Sequence, residues 1–257
     1  MSWSTFIDSA PASEHAVQVY DDPVDLVASA AGFFGAGLAE GAPALVLATG
    51  EHWDAFAAAL RERGHDLDAA ERDGLVTVRE AEATLADVLE HGRVSAAAFE
   101  RHVGGLVDEI AARFPGGTIR AFGELVDLLW HADEREQALV LEDLWNGLQR
   151  TRPVALLCAY HLDVFDVDVQ CGGLADVFHR HTHTRPVTDS ARLSAAVDKA
   201  LSEIVGASAA ARIYLGVAEQ VPRGSIPRGQ AVIGWLCRAD EPVAAAVVAR
   251  AREHYAV

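Results

Sequence analysis

The chain contains 257 residues and carries a formal charge of −17, with 38 acidic residues against 21 lysines and arginines. This balance argues against a nucleic-acid partner and against an anionic membrane surface, because both would be repelled. Lys199 is the one lysine in the sequence, which nearly excludes a lysine nucleophile or a phosphate-binding lysine. The length fits one large domain, or one domain with a small extension.

The cysteines and the amino terminus bear on the compartment. Cys158, Cys171 and Cys237 show no CxxC spacing, so we expect reduced, mostly buried thiols. The amino-terminal residues lack the basic region and apolar core of a signal peptide. No apolar run reaches the roughly 20 residues of a membrane span. We therefore expect a cytoplasmic protein with no membrane contact.

Taken in chain order, short apolar runs alternate with capped amphipathic segments. The apolar runs predict strands at 16–20, 44–49, 75–78, 118–122 and 154–160. The segments between them predict helices at 23–39, 51–63, within 80–89, 95–114 and 133–149, with Asp22, Ser95 and Asp133 as capping residues and Pro23 as a first helical residue. Strands that are apolar on both faces and separated by helices are typical of a parallel sheet covered on both sides. We predict a three-layer α/β fold with a mostly parallel sheet over residues 12–185.

The remainder of the chain, 188–257, has a different pattern. Alanine-rich segments predict helices at 188–205, 208–218, 227–237 and 241–255, with a loop at 222–228. None of these segments reads as a strand. We predict a small all-helical C-terminal extension, packed on the α/β domain or against a partner.

A phosphate-binding loop is missing where an α/β nucleotide-binding domain would have one. The turn after the first predicted strand, 20–25, contains three aspartates and neither glycine nor lysine. The motifs GxxxxGK[ST] and GxGxxG after a strand are absent as well. Backbone amides cannot close around a phosphate without glycines, and three carboxylates would repel one. We expect no nucleotide hydrolysis and no cofactor.

Polar residues at predicted strand ends suggest a ligand pocket instead. Ligands of open α/β sheets bind at the carboxyl edge of the strands. We place Arg120 and Glu124 there as a charged anchor, and leave open the alternative that they only pair with each other. His15 is a less secure candidate, because it precedes the first predicted strand and would lie at the opposite edge of the sheet. The candidate ligand-binding residues are Tyr20, Arg120, Glu124, Tyr160, His161 and His15.

Two further patterns carry chemistry less specifically. Cys158 and His161 could form a nucleophilic pair, although a cysteine in an apolar strand is more often a core thiol. His179, His181 and His183 alternate, which on a strand would place three metal ligands on one face. On a helix end the same spacing would scatter them. We assign no catalytic residue and treat the histidine string as an alternative metal site.

Several segments, in order, resemble the MEDS family, the sensory domain of a dichloromethane-responsive regulator. These segments are His15–Tyr20, Phe33–Leu38, Gly41–Leu47, Arg120–Glu124, Leu141–Glu142 and Leu157–Tyr160. The resemblance covers roughly residues 12–180. It implies a degenerate RecA-like, clock-ATPase-type fold without the phosphate loop, and a sensory role. Here Gly41-Ala42-Pro43 stands where the family has a Gly-Glu turn, and we find no DNA-binding or kinase module.

Three functions remain open at this point. We favour a non-enzymatic bacterial sensor that binds a small molecule, such as a hydrocarbon derivative, and signals through a protein partner. The first alternative is an enzyme on the degenerate RecA-like scaffold, a metal-dependent hydrolase for example. The second alternative is an interaction scaffold that uses the helical extension. Homo-oligomerisation is left open.

Overall fold

The computed structural model describes residues 3–220 and 226–256. Strands occur at all five predicted places. Three shorter strands were not predicted, because runs of two or three residues show no periodicity. The strands are β1 (His15–Tyr20), β2 (Ala44–Ala48), β3 (Val76–Glu80), β4 (Leu89–Glu90), β5 (Arg93–Val94), β6 (Ile119–Gly123), β7 (Val154–His161) and β8 (His183–Arg185).

Six of these strands form one sheet in the order β3-β2-β6-β7-β1-β8, and β4 pairs with β5 in a separate antiparallel hairpin. The central pairs are parallel: Ala44 faces Val76 on β3 and Arg120 on β6, and Ile119 faces Val154 on β7. Helices flank the sheet on both faces. The predicted three-layer α/β class with a parallel sheet is confirmed.

The helices of the α/β part begin where short polar side chains cap them. Asp22 accepts a hydrogen bond from the backbone N–H of Val24, and Pro23 is the first helical residue. Ser95 caps the segment that continues through a π-helical turn, Glu100–Gly104. The helices are α1 (Trp3–Ser9), α2 (Pro23–Ala39), α3 (Gly50–Glu62), α4 (Leu67–Arg72), α5 (Ala81–Val88), α6 (Ala96–Phe99), α7 (Gly105–Arg113), α8 (Leu125–His131) and α9 (Arg135–Gln149).

One predicted helix start is wrong. Asp133 does not cap α9, which begins two residues later with Glu134 at the capping position. Asp133 has a φ of 60°, a left-handed conformation that suits the turn between α8 and α9. Helix α8, which no periodic pattern predicted, occupies the preceding residues.

The chain divides into two compact units. The first contains residues 1–17 and 22–160, and the second contains 18–21 and 161–257. The core of the first unit is built from the inner residues of the strands and the apolar faces of the helices, with Trp145, Phe33, Phe56, Phe99 and Phe122 among its largest buried side chains. The segment 161–185, expected in the α/β part, groups with the C-terminal helices.

The second unit is mainly helical. Its described helices are α10 (Val167–Val169), α11 (Ala175–His179), α12 (Ser190–Val205), α13 (Ala207–Gln220), α14 (Arg228–Ala239) and α15 (Glu241–Ala256), with a π-helical segment at Gln170–Leu174. Leu193, Val197, Ile233 and Val247 pack in its core. The predicted loop at 222–228 lies mostly outside the described residues. Among the described helices, none is long and apolar enough to cross a bilayer.

A disulfide corrects the expectation of three reduced thiols. Cys171 and Cys237 are bonded, with their Cα atoms 5.0 Å apart and a sequence separation of 66. Cys158 is a free, buried cysteine. The pairing escaped prediction because the π-helical segment that carries Cys171 packs against α14, a neighbour that the spacing of the cysteines does not reveal.

Candidate functional site

Arg120 is the second residue of β6, at the amino end of that strand. Its buried guanidinium donates hydrogen bonds to three backbone carbonyl oxygens, those of Ile7 (2.8 Å), Asp8 (2.8 Å) and Phe33 (2.6 Å). Burial lowers the pKa of the guanidinium, yet an arginine stays protonated in proteins. Arg120 therefore ties α1 and α2 to the sheet. Its assignment to a ligand site stays a prediction that these contacts do not support.

Gly37 on α2 makes room for the Arg120 side chain. A Cβ atom at Gly37 would lie 2.5 Å from Cδ of Arg120 and 2.8 Å from its Nε, well inside van der Waals contact. The arginine cannot move away without giving up its three carbonyl acceptors. A glycine is therefore required at this position, because α2 approaches the Arg120 side chain too closely for a Cβ atom.

Glu124 follows β6 directly, at the carboxyl end of the strand, and is 2% exposed. One of its carboxylate oxygens accepts a hydrogen bond from the backbone N–H of Thr49. The other lies 2.5 Å from Nδ1 of His52. Thr49 caps α3 and His52 lies in its first turn, where the helix dipole favours a carboxylate. The structure therefore pairs Glu124 with α3 and does not bring it together with Arg120.

His52 has a titration behaviour set by this pair. The hydrogen bond to Glu124 raises the pKa of His52 above its ordinary value, and the charges of Glu124 and Asp127 raise it further, against the opposing effect of burial. The ring stacks on Phe56, which in turn meets Phe122 edge-on at 5.1 Å. The carboxyl ends of β2 and β6 thus hold a histidine–carboxylate pair beside aromatic side chains.

Tyr160 lies on β7 and is fully buried. Its hydroxyl donates a hydrogen bond of 2.7 Å to Oε1 of Glu142 on α9. Trp130 of α8 packs edge-on against the phenol ring, with 5.6 Å between the ring centroids. Tyr160 therefore points into the interior of the first unit, toward Glu142.

Glu142 is the centre of a buried polar cluster that also contains His15, Asn146, Cys158 and Tyr160, which we call the Glu142 cluster. Nε2 of His15 lies 3.4 Å from Oε2 of Glu142 and 3.2 Å from Sγ of Cys158. The Cys158 sulfur lies 3.7 Å from the same carboxylate oxygen. Nδ1 of His15 is 3.1 Å from Oδ1 of Asn146. His15, which the sequence placed less securely than the other candidates, thus lies beside Cys158.

Burial sets the protonation of the cluster. It raises the pKa of Cys158 and of Tyr160 well above their usual ranges, and the charge of Glu142 raises both further. The thiol and the phenol therefore stay protonated at neutral pH and donate to the carboxylate. A nucleophilic Cys158 needs the opposite shift, so the cluster is unsuited to thiolate attack in this state.

Tyr20 and His161 are brought together in the second unit. Their rings stack with centroids 5.1 Å apart, at the carboxyl ends of β1 and β7. The Tyr20 carbonyl accepts a hydrogen bond from the backbone N–H of Leu162. Tyr20 is buried and His161 is exposed.

The alternating histidines sit on three kinds of backbone. His179 ends α11, His181 lies in the turn that follows, and His183 begins β8. Nδ1 of His179 and Nδ1 of His181 each lie close to a carbonyl oxygen four residues earlier. Within the described part of the chain, the three do not gather as one ligand set.

Sequence reasoning did not single out His52, Asn146 or a role for Glu142. A signal for Glu142 exists: it shares a helix face with Ala138 and Trp145, both buried, so an acid lies on an apolar face. His52 gives no such signal, because its partner is 72 residues away in sequence.

Comparison with known proteins gives one family. The model of the MEDS family, described as the methanogen/methylotroph, DcmR sensory domain, matches residues 14–182. No curated protein and no solved structure matches the chain. The match covers well over half of the sequence and contains β1, β2, β6, β7, the Glu124–His52 pair and the Glu142 cluster. The chain is therefore a member of the MEDS family of sensory domains.

Proposed function

We propose that this MEDS protein is a non-enzymatic sensor whose small-molecule ligand binds beside the Glu124–His52 pair, at the carboxyl ends of β2 and β6. The observation that carries the proposal is the histidine–carboxylate pair itself. A carboxylate 2% exposed and a histidine with a raised pKa lie at the edge where open α/β sheets bind ligands. Membership of a sensory family supports the same role.

The surroundings of the pair fit a small, weakly polar ligand. Ligand sites are mostly apolar walls with a few placed polar groups. Here Phe56 and Phe122 form a fully buried aromatic layer behind the pair, and Glu124 with His52 provides one polar anchor. A one- or two-carbon alcohol or halide, which combines a short hydrocarbon part with one polar atom, has this chemistry. The signal would then pass to a protein partner.

Thermal unfolding in the presence of methanol or dichloromethane, at concentrations too low to denature, tests the proposal. A ligand at 100 times its dissociation constant stabilises by about 2.7 kcal/mol, which raises the Tm measurably. We expect Glu124→Gln to abolish this shift. The matched control is Asp68→Asn, which makes the same chemical change in an exposed pair with Arg61 and should leave the shift intact.

Two outcomes would count against the proposal. A ligand-induced shift that is equal in wild type and Glu124→Gln would place the ligand elsewhere. Turnover of either probe, seen as loss of the compound over time, would show an enzyme in place of a sensor.

A further inference from the structure

Three different ligand types meet in the core of the first unit, away from Glu124 and His52. They are an imidazole nitrogen of His15, a carboxylate oxygen of Glu142 and the sulfur of Cys158, on residues that are at most 1% exposed. We propose that these three residues bind a divalent transition-metal ion of the zinc type. This site goes beyond the proposed ligand site and does not depend on it.

The distances match a tetrahedral ion. Bonds of about 2.0 Å to nitrogen and oxygen and about 2.3 Å to sulfur, at tetrahedral angles, separate the ligand atoms by about 3.3–3.5 Å. The three observed separations are 3.2 Å for His15 to Cys158, 3.4 Å for His15 to Glu142 and 3.7 Å for Cys158 to Glu142. One ion in the middle of this triangle reaches all three atoms with small side-chain adjustments.

The ligands are oriented as in a metal site. A metal-binding histidine usually donates its other ring N–H to an oxygen, and a ligating carboxylate is usually hydrogen-bonded in turn. Nδ1 of His15 faces the Asn146 side-chain oxygen, which leaves Nε2 toward the cluster. Tyr160 donates to Oε1 of Glu142, while the atom facing His15 and Cys158 is Oε2. Both supporting contacts therefore lie on the atoms that the ion would not use.

Charge and softness select the class of metal. A thiolate and a carboxylate together neutralise a divalent ion, so the loaded site carries no net charge in the core. Thiolate with imidazole favours zinc, cobalt or copper over magnesium or calcium, which prefer oxygen ligands. Cys158 must lose its thiol proton to solvent as the ion binds. Metal affinity should therefore fall as the pH is lowered.

Cobalt(II) is the probe of choice, because a cobalt–thiolate bond gives a charge-transfer band in the near ultraviolet. The experiment uses the full chain with Cys171→Ser and Cys237→Ser, so that Cys158 is the one remaining cysteine. Titration under reducing conditions should show the band, saturating at about one ion per chain, and zinc should displace it. Metal analysis of the wild-type chain purified without chelators should find zinc.

Variants in the same background separate the cluster from other sites. Cys158→Ser should remove the band, and Glu142→Gln should weaken cobalt binding about 100-fold. Tyr160→Phe should keep the band but weaken binding about 10-fold, as loss of a supporting hydrogen bond does. His179→Ala with His183→Ala, and Glu124→Gln, should bind cobalt as the background does.

The inference is overturned if the background chain, shown to be folded by circular dichroism, takes up neither cobalt nor zinc. It is equally overturned if the band persists in Cys158→Ser. Loss of cobalt binding in Glu124→Gln, with the cluster intact, would contradict the independence of the two sites. Because the first readout uses no variant of the cluster, a misfolded variant cannot hide a negative result.

Discussion

The two ends of β6 carry charged residues with different roles, one structural and one in the candidate site. At the amino end, Arg120 donates hydrogen bonds to three backbone carbonyls and holds two helices to the sheet. At the carboxyl end, Glu124 pairs with His52 and raises the pKa of its imidazole above the ordinary value. The charge of the arginine does not change with pH in the neutral range, whereas the charge of a histidine depends on pH. Three strand residues, 121–123, thus separate a structural charge from a candidate site.

Among substitutions at the two ends of β6, loss of Arg120 should lower the free energy of unfolding the most. Arg120→Ala leaves the carbonyls of Ile7, Asp8 and Phe33 without this donor, and we expect the free energy of unfolding to fall by about 3–4 kcal/mol. Chemical denaturation should show the same loss near pH 6 and near pH 8, since an arginine does not titrate there. Arg79→Ala, on an exposed strand residue, should cost no more than about 0.5 kcal/mol. A loss for Arg120→Ala as small as that would refute the structural role.

The close approach of α2 to Arg120 should give the next largest effect. Gly37→Ala places a Cβ against the anchored side chain, and overpacking of this kind costs about 1–3 kcal/mol. Gly50→Ala is the matched control, because a Cβ at the start of α3 meets nothing within 4 Å. The comparison uses the unfolding free energies of both variants. Equal values would mean that Arg120 adjusts freely and is not held in place.

Substitution at the carboxyl end of β6 should change the free energy of unfolding the least, and this change should depend on pH. The raised pKa of His52 means that the folded protein binds its proton more tightly than the unfolded chain. The resulting stabilisation, about 1 kcal/mol for a half-buried pair, is present below about pH 6.5 and is lost as the pH rises through the folded pKa. Glu124→Gln should therefore destabilise more near pH 6 than near pH 8. Asp68→Asn should show no such trend, and a flat difference for Glu124→Gln would contradict the pair.

Local patterns predicted most of the fold. Apolar runs such as that of β2 identified the sheet, and Asp22 with Pro23 and Ser95 identified helix starts, because burial periodicity and capping act within a few residues. The site was predicted less well. Glu124 was expected at the carboxyl end and lies there, but Arg120 extends its side chain from the other end, since a residue early in a five-residue strand belongs to its amino edge.

What the sequence by itself determined was the order and kind of the elements, the missing phosphate-loop motifs and the resemblance to the MEDS family, all of which are read from neighbouring residues. Only the tertiary structure decided the partners: Glu124 with His52, Cys171 with Cys237, and Glu142 with His15 and Cys158. These partners lie on elements far apart in sequence, which the sheet order and helix packing bring side by side. Hydrophobic periodicity specifies which face of an element is buried, but it does not specify which other element covers that face.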